Sequence, residues 1–163
     1  AYFMKSLIEK FYQAFSELDS ETMIACYHDD IQFEDPAFGI LKSDKAKNLW
    51  RMLCQNQKNA QFRIEFSDIR CDEIKGQAHW EAHYIFPATG RKIHNRIDAT
   101  FEFKDGKIIH HIDRFNLYTW ARQTLGLSGY LLGWTSMFKS RLNLQTAKML
   151  SRFEEKQNGP FVE

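Results

Sequence analysis

Residues 79–120, HWEAHYIFPATGRKIHNRIDATFEFKDGKIIHHIDRFNLYTW, read as three consecutive antiparallel strands joined by tight turns. Side chains alternate across a strand, so each strand sorts its residues onto two faces. In the first strand Trp80, Ala82, Tyr84 and Phe86 take the core parity, and His79, Glu81, His83 and Ile85 take the other. In the second, Asn95, Ile97, Ala99, Phe101 and Phe103 share the core parity, while Arg96, Asp98, Thr100 and Glu102 point away. The third strand is mixed on both faces, so the turn Phe103-Lys104-Asp105-Gly106-Lys107 has to decide it. A type I turn with Gly106 left-handed and a G1 bulge pairs Phe103 with Lys107. Ile109, His111 and Asp113 then face the core, with Asp113 opposite Ile97. A two-residue Asp-Gly turn would slip the register and turn Asp113 outward; the bulged form is the favoured reading. A carboxylate among Phe, Trp and Tyr on a buried face is then either a pocket group or a hydrogen-bonded structural one.

Upstream, Met4, Leu7, Ile8, Phe11, Tyr12, Phe15 and Leu18 recur at helical spacing and predict an amphipathic helix over about 3–18. Asp19 or Ser20 can cap a short second helix that ends near His28-Asp29-Asp30. Ile31, Phe33 and Asp35 lie on one face of a strand ended by Pro36. Ser43 can cap a third helix with Ala46, Leu49, Trp50, Leu53 and Cys54 on its apolar stripe. A strand over about 61–70 and a turn at 72–76 follow. Beyond Trp120, Gly126, Gly129 and Gly133 predict a loop-rich bridge. Phe138, Leu142, Met149, Leu150 and Phe153 then mark a helix over about 136–156, expected to pack on the core or on a partner chain rather than a membrane. The chain divides into one α+β domain over 1–125 and a C-terminal helical extension over 126–163.

With 22 Lys and Arg against 21 Asp and Glu and no basic run, the chain lacks the electrostatic footprint of a nucleic-acid binder. Cys26, Cys54 and Cys71 are odd in number and have no metal or redox spacing. They read as free thiols, and a cytoplasmic location is expected. No export signal or membrane-spanning run is indicated, and no membrane partner is expected.

The element order, together with Phe33-Glu34-Asp35-Pro36, Thr89-Gly90-Arg91, Asp105-Gly106-Lys107-Ile108 and Asp113-Arg114-Phe115-Asn116-Leu117, resembles the nuclear-transport-factor-2-like superfamily. Within it the pattern is most similar to SnoaL-like proteins, relatives of polyketide cyclases, ketosteroid isomerases and limonene epoxide hydrolases. The resemblance spans about residues 4 to 122 and is more specific for the fold than for the reaction. It implies an α+β roll of the cystatin-like kind. The resemblance further implies a strongly curved, cone-shaped, antiparallel (mixed) sheet that wraps the N-terminal helices, encloses a cavity and pairs as a homodimer through its outer face.

In ketosteroid isomerases the proton-abstracting Asp sits in a Glu-Asp-Pro setting, which maps onto Asp35. Their oxyanion-stabilising Tyr and protonated Asp would fall near Phe11 and Ala99, so both donors are missing. Epoxide hydrolases of this type use an Asp-Arg-Asp group. Only its last member has a counterpart, Asp113, with Trp80 and Ala82 in the other two places. SnoaL-like cyclases use an inward Asp as acid/base, a role the resemblance gives to Asp113.

Asp113, Asp35 and His111 are thus the candidate catalytic residues. Trp80, Tyr84, Asn95, Ile97, Phe33, Phe115, Tyr27 and Trp50 are the candidate ligand-binding ones. Against catalysis stands a structural reading. Asp35 caps the turn at Pro36, Asp113 is tied to Asn95, His111 or a tyrosine, and His111 is a satisfied sheet histidine. On the opposite face His79, Glu81 and His83, with His110 and His94, have the chemistry of metal ligands, but that face is better read as a dimer surface with Ile85, Ile112, Arg96, Asp98 and Arg114. No cofactor or metal is expected. The leading expectation is a cofactor-independent isomerase, cyclase or lyase acting on a small hydrophobic or carbonyl compound. The alternative is a non-catalytic small-molecule-binding or dimeric interaction module.

Overall fold

The computed structural model describes residues 2–58 and 60–159. Helix α1 (Tyr2–Ser16) buries Met4, Leu7, Ile8, Phe11, Tyr12 and Phe15. Helix α2 (Ser20–Ala25) is capped by the Asp19 carboxylate, which accepts from the Thr22 amide at 3.2 Å. Helix α3 (Asp44–Gln57) buries Ala46, Leu49, Trp50, Met52 and Cys54. Ser43 stands at its N-cap with φ +51° but makes no capping hydrogen bond through its side chain.

Strands β1 (Tyr27–Asp35), β2 (Gly39–Lys42), β3 (Arg63–Cys71), β4 (Lys75–Phe86), β5 (Arg91–Lys104) and β6 (Lys107–Arg114) form one open mixed sheet in the order β2-β1-β6-β5-β4-β3. Among the described residues only the β1–β6 pair is parallel. The architecture is the expected α+β one. Its core is a single cluster in which α1 and α3 pack on Trp80, Ile97, Ala99, Phe101 and Ile108 of the sheet. Strand β2 was not anticipated, because a four-residue strand with only Leu41 buried carries no readable alternation.

The β5–β6 turn corrects the sequence reading. Lys104 pairs with Lys107, so the turn has two residues, and Asp105 (φ +53°) and Gly106 (φ +72°) are both left-handed as a type I′ turn requires. The bulge lies further along: Phe103 pairs with Ile108 and Glu102 with His110, leaving Ile109 as the extra residue. That extra residue restores the parity. Phe101 faces His111, and Ala99 rather than Ile97 faces Asp113, so both β6 residues remain inward.

The loop-rich bridge also differs. Asn116 caps helix α4 (Leu117–Leu125) by accepting from the Thr119 amide at 3.0 Å, and Gly126 at φ +62° ends it. Helix α5 (Leu127–Leu132) follows directly, and α6 (Ser136–Gln157) is the last element among the described residues. Helix α6 is held to the body by Asn143 and Thr146, which donate to the Ala37 carbonyl at 2.9 and 2.8 Å. Glu154 adds contacts to Lys45 at 2.7 Å and Asn48 at 2.8 Å.

Candidate functional site

A continuous hydrogen-bonded chain runs through the core under β6. The Trp50 indole donates to the Tyr27 hydroxyl at 2.9 Å, which lies 2.7 Å from His111 Nδ1. His111 Nε2 lies 2.9 Å from Asp113 Oδ1, and the Trp80 indole donates to the same oxygen at 3.2 Å. Topology explains the meeting, since parallel β1–β6 pairing sets Phe33 beside His111 and brings Tyr27 to its ring. Trp50 stacks on the imidazole at 6.1 Å and 8°.

Donor direction orders the chain. Trp50 offers its N–H to Tyr27 oxygen, leaving the Tyr27 proton for His111 Nδ1. The Nε2–H of the imidazole is then aimed at the Asp113 carboxylate. Two N–H donors therefore fix Asp113 Oδ1, whereas Oδ2 makes no hydrogen bond among the described residues. His111 is fully enclosed and Asp113 only 3% exposed. Burial, and next the Asp113 charge, push the Tyr27 phenol well above its usual range.

One contributor escaped the sequence reading. The Tyr12 hydroxyl is buried with no hydrogen-bond partner, a rare condition in a folded core. Burial first, then the Asp113 charge, also raise its phenol, which puts it within electrostatic reach of that carboxylate. The tyrosine counted as missing near Phe11 thus has a hydroxyl-bearing neighbour one residue along α1. The signal was present as a polar atom on the buried stripe.

Asp35 makes the turn cap of its structural reading. Its Oδ1 accepts from the Ala37 and Phe38 amides at 2.9 and 2.6 Å, capping the turn after Pro36. Loss of solvation outweighs those two bonds and, with a smaller push from Asp113, raises its carboxyl to about 7. Tyr84 accepts from the Trp120 indole at 2.9 Å and is raised mainly by burial and slightly by Asp35. Ile97 is buried opposite Trp80. Asn95 and Phe115 are half-buried and make no hydrogen bond through their side chains, or ring contact, with this group among the described residues. The tie from Asp113 to Asn95 weighed in the structural reading is therefore not made.

There are two concave surfaces, and of the candidate residues only Tyr84 lines one of them, the smaller. One of about 440 Å³ is lined by Arg63, His83, His94 and Gln123, and one of about 780 Å³ on the outer sheet face by Arg70, Thr100, His110 and Arg114. Neither includes Asp113 or Asp35.

On that outer face the Glu81, His83 and His94 ligand atoms fall within 4.8 Å of one another. Both Glu81 oxygens are already taken, by His79 at 2.8 Å and His94 at 2.5 Å, and these bonds hold its carboxyl down to about 2. The cluster closes on itself.

A profile of the SnoaL-like domain matches residues 8–111. The chain belongs to the SnoaL-like family. Solved structures similar to this SnoaL-like chain share its fold. An NTF2-like protein from Burkholderia pseudomallei has 12% identity, covering 77% of this chain and 99% of that one, with TM-score 0.63. A polyketide-cyclase-like protein from Xanthomonas campestris has 18% identity over 76% and 97%, with TM-score 0.62. An LEH-like epoxide hydrolase from M. tuberculosis has 21% identity over 81% and 92%, with TM-score 0.61. No curated protein sequence matches the SnoaL-like chain.

Proposed function

We propose that this protein is a proton-transfer enzyme of the isomerase or cyclase kind, acting on a small hydrophobic or carbonyl-bearing molecule with Asp113 as the acid/base. The observation that supports it is the Trp50–Tyr27–His111–Asp113 chain, which anchors one carboxylate oxygen with two N–H groups and leaves the other unbonded. Oδ2 takes a proton from a carbon next to a carbonyl. The unpaired Tyr12 hydroxyl donates to the enolate oxygen that forms, and the proton returns to a different carbon. Asp35, with a carboxyl raised to about 7, is able to hold or release a proton near neutral pH. Phe33, Trp80 and Ile97 supply the apolar surroundings.

The second reading, a non-catalytic binding or interaction module, draws support from the enclosure of His111 and the 3% exposure of Asp113. Hydrogen–deuterium exchange at the α-carbon of α-tetralone, followed by proton NMR, separates the two. The wild type accelerates exchange and Asp113→Asn does not. Ligand-induced shifts with no exchange in either protein favour the binding module.

A further inference from the structure

Residues 125–138, LGLSGYLLGWTSMF, contain no charged side chain. Leu127, Tyr130, Leu131, Leu132, Trp134 and Met137 are all between 55% and 75% exposed. A contiguous exposed apolar surface of this kind marks an interaction site. The way α5 is mounted explains the exposure. It packs through glycine: a Cβ at Gly129 would stand 2.1 Å from the Ala121 carbonyl oxygen, and one at Gly133 would stand 2.6 Å from the Ala121 Cβ. Backbone meets backbone against α4, and the large side chains of α5 are left facing out.

We propose that this belt seats on an anionic lipid surface, with α5 lying in the interface. Two features favour lipid over a protein partner or a second copy. First, three of the polar side chains of the belt are satisfied within it. Trp134 Nε1 donates to the Leu131 carbonyl at 3.1 Å, Ser128 to the Leu125 carbonyl at 3.2 Å and Thr135 to the Leu132 carbonyl at 2.7 Å. Such a surface enters hydrocarbon without stranding these polar groups, and these donors are already used within the belt. Second, the belt is bounded by cations. Arg122 is held between the Tyr118 and Tyr130 rings at 4.9 and 5.1 Å, and Lys139 and Arg141 follow in the first turns of α6. Apolar and aromatic side chains flanked by basic ones are the composition of an interfacial segment. No helix of the described chain is long and apolar enough to cross a membrane, and a surface-lying segment needs no such length. Composition and hydropathy pointed to no membrane partner; the exposed mounting of α5 supplies a reason to expect one.

The test is flotation of the full chain with vesicles of equimolar phosphatidylglycerol and phosphatidylcholine, and of phosphatidylcholine alone. The wild type floats with the anionic vesicles, its tryptophan emission shifts to the blue, and added salt weakens binding. Leu131→Asp lowers the bound fraction at least about tenfold. The pair Lys139→Glu and Arg141→Glu lowers binding to the anionic vesicles alone, and Ile74→Asp, exposed elsewhere, leaves it intact. Far-UV circular dichroism matches the wild type in all variants. Absence of flotation, or Leu131→Asp floating like the wild type, overturns the proposal. So does a wild-type dimer that Leu131→Asp splits without any vesicle binding, which makes a second copy the occupant.

Discussion

Ala99 stands directly opposite Asp113 in the β5–β6 ladder, although the Asp105-Gly106 turn by itself sets Ala99 against Ile112. The difference is one residue, Ile109, which bulges out of β6 and returns the strand to the opposite parity. The bulge is what keeps His111 and Asp113 inside.

Deleting Ile109 is therefore better tolerated than deleting its paired neighbour Ile112. Without Ile109 the ladder closes with no bulge, and His111 and Asp113 stay opposite Phe101 and Ala99 on the inner face. Without Ile112 the strand slips by one place, so Asp113 takes the outward position opposite Thr100 and Arg114 the inward one opposite Ala99. An unpaired buried arginine is strongly destabilising. We expect loss of a cooperative urea transition on deletion of Ile112, whereas the Ile109 deletion retains one.

Tyr27 and Tyr12 predict opposite outcomes for the same chemical change. Tyr27→Phe strands the Trp50 N–H and His111 Nδ1, at about 1–3 kcal/mol for each buried group left unpaired. Tyr12→Phe removes a hydroxyl that has no partner in the folded protein. It leaves stability unchanged or raises it by about 1 kcal/mol. Thermal unfolding of the two variants side by side checks both.

Asp35 gives a pH signature. Its carboxyl is raised to about 7, mainly by burial, from an ordinary value of 3.8. The folded state therefore holds a proton that the unfolded chain has released. This contribution to stability is fully present below about pH 4 and is lost as pH rises to about 7, at roughly 1.4 kcal/mol per unit. Asp35→Asn keeps an acceptor for the Ala37 and Phe38 amides and has no proton to release. Stability of the variant, measured by denaturant titration from pH 4 to 7, lacks that component of the decline.

The regular elements were legible because their periodicity is. The stripe from Met4 to Phe15 and the alternation from Trp80 to Phe103 each agree with one burial pattern. The inward placement of Asp113 was reached through the wrong turn, and the parity survived because a bulge was present, only at Ile109 rather than beside Gly106. Local sequence does not distinguish those positions, since the choice is made by pairing across the sheet. The Tyr27–His111 bond joins residues far apart in the chain through the parallel β1–β6 pair, which strand periodicity alone does not reveal. Helix α5 was read as loop because Gly129 and Gly133 are turn residues by habit, and here they serve close packing on Ala121.

The central claim is that Asp113 Oδ2 is a working base. Base-catalysed opening of 5-nitrobenzisoxazole, a small apolar ring whose single step is removal of a proton from carbon, reports on it by a change in absorbance. The wild type accelerates the opening over buffer, and Asp113→Asn, folded to the same circular dichroism, loses that acceleration by about a hundredfold or more. Equal rates in the two proteins, or a wild type no faster than buffer, contradict the account.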